Sequence, residues 1–298
     1  MYYAINAALF TCANFRLAAM MAIFTPACTA TNRHHKAAIQ PYNDQVSLNE
    51  TKMTAEDIIL AALILVAALL YSSVGHAGAS GYLAAMALMG ISPAIMKPAA
   101  LTLNILVAII ATAKYYRVGA FSWHLFWPFA LASIPFAYLG GSLTLPGHLY
   151  KPLVGAVLIY SAWWSFRSAY RPYEVASARP RLSLLLLAGA VLGFLAGLTG
   201  VGGGIFLSPL LLFFRLAEIR VISGVAAAFI LVNSVAGLLG AITASPKLPS
   251  ALPYWAAAAV AGGLVGAEYG SKRLGNPAIK KLLAVVLLIA GAKMIATS

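Results

Sequence analysis

Carboxylates and thiols are the scarce groups of this chain. Only 7 of its 298 residues are Asp or Glu, and only 2 are Cys. Both cysteines, Cys12 and Cys28, lie near the N-terminus, where they could pair but where no spacing demands a disulfide or a metal. The rest of the chain has no thiol, which excludes thiol chemistry and Cys-ligated clusters there. No pair of carboxylates falls inside an apolar segment, no His, Asp and Glu share metal-ligand spacing, and no Ser or Cys has a base beside it. The usual sequence signals of an enzyme are therefore missing, and no cofactor or metal is expected. The glycine run 200–204 also lacks the Lys-Ser/Thr of a phosphate-binding NTPase loop. Charge as a whole is sparse, at 9% of residues, against about 25% in soluble domains.

What is present is apolar. Hydrophobic residues make up 62% of the chain and the mean hydropathy is +0.88, which describes a polytopic membrane protein. The net charge of +13 does not point to nucleic acid, because Lys and Arg sit in short loops between apolar segments. Those segments run over 58–75, 98–117, 122–143, 150–166, 183–198, 221–242, 252–271 and 279–296, near the roughly 20 residues that cross a bilayer. Two shorter pieces, 81–90 and 205–214, cover half that distance, and each follows a run of small residues. The second run has five glycines in eight residues, Gly197-Leu198-Thr199-Gly200-Val201-Gly202-Gly203-Gly204. The first is Val74-Gly75-His76-Ala77-Gly78-Ala79-Ser80-Gly81. Each glycine disfavours helix by about 1 kcal/mol against Ala, so both runs are expected to break their helices.

This repetition divides the chain into a first membrane repeat, 53–170, a cytoplasmic linker, 171–181, and a second repeat, 182–298. Residues 1–52 are read as a dispensable extension or leader. A signal peptide cleaved near Ala27 or Ala30 and a start placed upstream of Met53 both stay open there. Charge distinguishes two topologies. With four crossings per half, the 16 basic residues beyond position 52 divide equally between the two sides. If each glycine break is instead the tip of a re-entrant hairpin, the halves are inverted. Lys97, Lys151, Lys247 and Lys293 then face the remaining twelve, a proper positive-inside bias. The expected fold is thus an all-α polytopic membrane protein with two inverted repeats, each a glycine-tipped re-entrant hairpin plus three transmembrane helices. The basic loops are placed in the cytoplasm of a bacterial inner membrane, with the C-terminus outside.

In such architectures the site lies where discontinuous helices end near the midplane, and helix N-termini receive anions without a cationic side chain. Gly78, Ser80 and Gly81 in the first break, and Gly200, Gly202, Gly203, Gly204 and Ser208 in and after the second, are therefore candidate substrate contacts. Gly193 and Gly197, spaced four apart, are read as packing positions instead, as are Gly237 with Ala241 and Gly262 with Gly266. His76 sits inside the first break; ligand donor, proton carrier and helix cap all stay open for it. Asn104 and Asn233 must find partners in their spans, and are assigned to the ligand ahead of the hairpin backbone. Thr102 is a weaker candidate. Glu268, four residues before Lys272, reads as half of an interfacial ion pair. Lys97, at a helix start, is read as snorkelling, with anion attraction as the alternative.

The stretch Leu198-Thr199-Gly200-Val201-Gly202-Gly203-Gly204-Ile205-Phe206-Leu207-Ser208-Pro209-Leu210, followed by Ala228-Phe229-Ile230-Leu231-Val232-Asn233-Ser234-Val235-Ala236-Gly237-Leu238, resembles the sulfite exporter TauE/SafE family. Ser80-Gly81-Tyr82-Leu83-Ala84, Ala100-Leu101-Thr102-Leu103-Asn104-Ile105-Leu106-Val107-Ala108 and Gly119-Ala120-Phe121-Ser122-Trp123 agree with it in the first half. The likeness covers about 54–296, while Gly78-Ala79-Ser80-Gly81 departs from the triple glycine of the second copy. The resemblance implies a secondary transporter, in the export direction, for a small sulfur or organic oxyanion such as sulfite, a sulfonate or sulfoacetate. The expected partners are this anion, a coupling proton or Na+ and the lipid bilayer, with no nucleic acid; a homodimer is left open. The alternatives are a permease for another small solute or a cation, and a membrane-embedded enzyme.

Overall fold

A computed structural model describes residues 54–167, 181–244, 248–272 and 277–297. The N-terminal segment 1–52 and most of the 171–181 linker lie outside the described residues, as does Lys247. Thr54 opens the first helix with a capping box: its Oγ1 accepts from the Asp57 amide at 3.2 Å, and Asp57 Oδ2 accepts from the Thr54 amide at 3.2 Å. In the first half the chain forms α1 (Ala55–Ser72), α2 (Ala79–Leu88), α3 (Pro93–Arg117), α4 (Trp123–Ser142) and α5 (Gly147–Arg167). In the second it forms α6 (Leu182–Thr199), α7 (Gly204–Phe213), α8 (Ile219–Ala244), α9 (Leu252–Lys272) and α10 (Pro277–Ala296). Five of these, α1, α3, α4, α6 and 219–243 of α8, are long and apolar enough to cross a membrane. The fold among the described residues is all-helical, in the order the hydropathy pattern anticipates. Helix α3 starts a turn earlier than expected, at Pro93 behind Ser92, and takes Pro98 into its interior.

Both short helices, α2 and α7, have 10 residues, about 15 Å. Each starts from a glycine in the left-handed region, Gly78 (φ +105°) and Gly203 (φ +83°), where a side chain would be strained. Beyond the tip of each, the chain returns toward the start of the preceding helix. Gly81 at the start of α2 lies against Ala67 and Tyr71 of α1, and Leu63 lines a small crevice with Ala85 and Leu88. Likewise Leu216 and Ala217, just past α7, share a cavity with Leu182 and Leu185 at the start of α6.

The halves are interlocked. The first helix of each packs on the fourth of the other, α1 on α9 and α6 on α4; α3 packs on α8, and α5 on α10. Glycine makes these approaches close. The positions a side chain would occupy at Gly189, Gly193 and Gly197 meet the backbone of Phe129, Ser133 and Ala137 in α4. Those at Gly262, Gly266 and Gly270 meet Leu65, Leu69 and Ser73 in α1 and just beyond it. In lipid, where no hydrophobic force draws helices together, such backbone approaches supply the packing.

The two ends of the bundle differ in charge. At one end, Lys293 Nζ donates to the Leu88 carbonyl (2.6 Å) and Lys151 Nζ to that of Thr297 (2.6 Å). There the start of α3, with Lys97, faces the end of α4 and the start of α5. At the opposite end, Glu268 of α9 bridges Lys114 of α3 and Lys272, and Arg220 of α8 donates to the Ser271 carbonyl. The C-terminal ends of α3 and α9 therefore lie together.

Candidate functional site

Each glycine break is held open by side chains from the other half. In the first break, the Gly75 and His76 amides turn back onto the carbonyls of Ser72 (3.2 Å) and Tyr71 (3.0 Å). Tyr82 Oη, from α2, donates to the Ala77 carbonyl at 2.6 Å. From the second half, Ser223 Oγ donates to the Val74 carbonyl (3.2 Å), and Ser208 Oγ sits 3.2 Å from His76 Nε2.

The second break is the mirror case. Gly200, Gly202 and Gly203 have φ of +81°, +78° and +83°, a succession open to glycine and strained for other residues. Thr199 Oγ1 folds back onto the Leu195 carbonyl at 2.7 Å. From the first half, Tyr150 Oη donates to the Thr199 carbonyl (2.9 Å) and Asn104 Nδ2 to that of Val201 (3.3 Å). Asn104 Nδ2 also lies 3.3 Å from Ser234 Oγ of α8.

The sequence-selected residues thus fall into two clusters. His76 and Ser208 meet across the halves. Asn104, Gly202 and Ser234 meet at the second break, where the position of a Gly202 side chain is filled by Asn104 and Ser234. Gly200 abuts Lys97, Gly203 abuts Phe229 and Ala196, and Gly204 abuts Ile230, so these glycines face packed protein on their side-chain side. What they leave for a ligand is backbone. No side chain caps either short helix, and the Gly202, Gly203 and Gly204 amides find no acceptor among the described residues. An uncapped helix N-terminus carries about half a positive charge.

The remaining candidates sit differently. Gly78 packs against the Tyr82 ring, Gly81 packs on α1, and Ser80 is buried at the start of α2. Thr102 Oγ1 donates to the Pro98 carbonyl of its own helix at 2.9 Å. Asn233, fully buried in α8, turns Nδ2 onto the Phe229 carbonyl at 2.8 Å. The two asparagines differ: Asn104 ties the halves together, while Asn233 bonds within its own helix.

Lys97 does not snorkel. It is buried, and its ammonium donates to the carbonyls of Gly140 (3.2 Å), Gly141 (2.7 Å) and Leu143 (3.0 Å) at the end of α4. A cation there satisfies carbonyls that the helix leaves unpaired. Lys97 and Tyr150 line a cavity of about 500 Å³, with Ser92, Pro93 and Thr144, that opens at the sparsely charged end. Tyr150 also holds Thr199, so one wall residue of this cavity touches the second break. Tyr150, Ser223 and Ser234 are not among the residues the sequence singles out, and Lys97 is there only as a snorkelling side chain or an attractor of anions. Ser234 follows Asn233 in the family-like stretch and Tyr150 opens the 150–166 segment, whereas Ser223 carries no local signal.

Comparison with known proteins bears on what this geometry does. The family model for sulfite exporter TauE/SafE matches residues 60–294. This chain belongs to the TauE/SafE family. A probable membrane transporter protein, y4hK, from Sinorhizobium fredii is 43% identical over 246 residues, which cover 82% of this chain and all of that protein. A probable membrane transporter protein, MJ0441, from Methanocaldococcus jannaschii is 26% identical over 143 residues, 47% of this chain and 53% of its own length. No solved structure matches. Membership of TauE/SafE, with five apolar membrane-length helices, makes this a membrane protein of a transporter family.

Proposed function

We propose that the chain is a secondary transporter that exports a small sulfur or organic oxyanion, such as sulfite, a sulfonate or sulfoacetate, by alternating access. The observation that carries this reading is the second break: an uncapped helix N-terminus, with free amides at 202–204, held inside the bundle by side chains of the other half. The Ser208 and His76 pair adds donors one turn further along α7. Residues 53–170 and 182–298 act as inverted repeats, and α1–α2 and α6–α7 are re-entrant hairpins. The reciprocal packing of first and fourth helices supports this, as does the shared bridge of Lys114 and Lys272 on Glu268. The basic end faces the cytoplasm of the inner membrane, in keeping with the positive-inside rule.

The test is thermal unfolding of purified protein with sulfite, sulfate, sulfonates and carboxylates as N-methylglucamine salts, with and without added NaCl. An anion at about 100 times its Kd is expected to stabilise by about 2.7 kcal/mol. Stabilisation by uncharged solutes alone, or by none of the anions under either condition, removes the oxyanion reading.

A further inference from the structure

Two buried oxygens on the helices that border the second break have the wrong sign for an anion. Asn104 Oδ1 and Asn233 Oδ1 are fully enclosed and accept no hydrogen bond among the described residues. Their direction is fixed. Each amide nitrogen donates to a carbonyl, Val201 for Asn104 and Phe229 for Asn233, and a carbonyl can only accept. Exchanging nitrogen and oxygen would set two acceptors against each other. A buried acceptor left unmet costs about 1–3 kcal/mol, so two together call for a donor or a cation.

Both residues border the same stretch of chain. Asn104 bonds to Val201 in the break and to Ser234 of α8. On α8, Asn233 lies between Ile230, which closes on Gly202 and Gly204, and Gly237, which meets Gly197 near the end of α6. The chain there leaves α6 carbonyl-first, with about half a negative charge at its end. The cation beside Gly200, Lys97, turns its ammonium away onto the carbonyls at the end of α4. Among the described residues no three His, Cys, Asp or Glu side chains gather as for a divalent metal. Neutral oxygens at a helix C-terminus suit a monovalent hard cation instead.

We propose that the second break binds a sodium ion, coordinated by Asn104 Oδ1 and Asn233 Oδ1 at the carbonyl end of α6. The amides at the start of α7 are left for the anion. One break then presents both signs of helix dipole, and the two ions neutralise each other. The role as co-ion rests on the oxyanion reading; the sodium site itself does not.

The experiment measures unfolding temperature in NaCl, KCl and choline chloride at constant ionic strength, with no oxyanion present. Wild type is expected to rise saturably with Na+ and to respond to neither K+ nor choline. Asn233→Leu removes the unmet oxygen at similar volume, and Phe229 keeps its helical backbone bond. Its half-saturating Na+ is expected at least tenfold higher, with stability in choline equal to or above wild type. Asn233→Asp keeps an oxygen and adds charge, so its half-saturating Na+ falls; it decides the matter if the Leu variant does not fold. Wild type indifferent to Na+, an Asn233→Leu protein with the full wild-type response, or an Asp variant no tighter than wild type each overturns the proposal. Loss of every anion response with the Na+ response intact overturns the cargo and leaves the ion site standing.

Discussion

At the scale of single residues, the glycines of the second break do two things that separate substitutions resolve. Gly203 needs a left-handed backbone, and a side chain there would stand 2.9 Å from Phe229 and 3.0 Å from Ala196. Gly90 also has positive φ (+75°), but nothing lies within 4 Å of the position its side chain would take. Gly90→Ala is expected to cost about 1 kcal/mol, from backbone strain alone. Gly203→Ala is expected to cost about 2–4 kcal/mol, since overpacking is added. Equal losses in unfolding temperature would show that the Gly203 surroundings yield freely. Lys97→Met leaves three buried carbonyls at the end of α4 without their donor and is expected to cost about 2 kcal/mol. Denaturant unfolding in detergent checks this, and a neutral result would return Lys97 to the role of a snorkelling side chain. Direction was the illegible part here. A sequence places Asn104 and Lys97 in an apolar helix, but which atom meets which partner depends on chain more than 40 residues away.

At the scale of elements, the sequence was far more readable. Hydropathy located the ten helices of the described residues in order, and the two glycine runs located the breaks, because both signals are local. The packing glycines were legible for the same reason: four-residue spacing sets Gly193 and Gly197 on one face, which meets α4. Gly193→Val would force α6 away from the Ser133 backbone, and a loss of about 3 kcal/mol is expected. Yield of folded protein by size-exclusion fluorescence checks it; wild-type yield and melting would mean that α6 and α4 are held elsewhere. Less readable was the hold of one element on another. Tyr150 opens a helix, and nothing near it in the chain announces that its hydroxyl reaches the Thr199 carbonyl. Tyr150→Phe removes that bond and little else, and is expected to cost about 1 kcal/mol.

At the scale of the molecule, the arrangement of the ends gives the sharpest test. Inverted halves place Lys97, Lys151 and Lys293 outside, and Lys114, Arg215, Arg220 and Lys272 in the cytoplasm. The two native cysteines precede residue 53, so replacing both leaves a thiol-free body for labelling. Single cysteines at 148 and 215, both exposed, are expected to react from opposite sides of the membrane with an impermeant maleimide. Reaction from one side at both positions would sink the inverted topology. Counting charge already favoured this arrangement, because orientation follows the summed bias of many loops and not any single contact. The charge count could not say which helices touch, and the exchange of first and fourth helices between halves came only with the packing.

The reciprocal bracing of the breaks has a consequence for how the protein is made. The Val74 carbonyl waits for Ser223, 149 residues further along, and His76 meets Ser208 across a separation of 132. The first break therefore enters the bilayer during synthesis before its partners have left the ribosome. Until α7 and the start of α8 arrive, the α1–α2 hairpin is an unfinished piece whose open backbone must shelter among lipid headgroups, water or the translocation machinery. Completion of the first break thus waits for the second half, and a truncated first half would leave that hairpin unbraced.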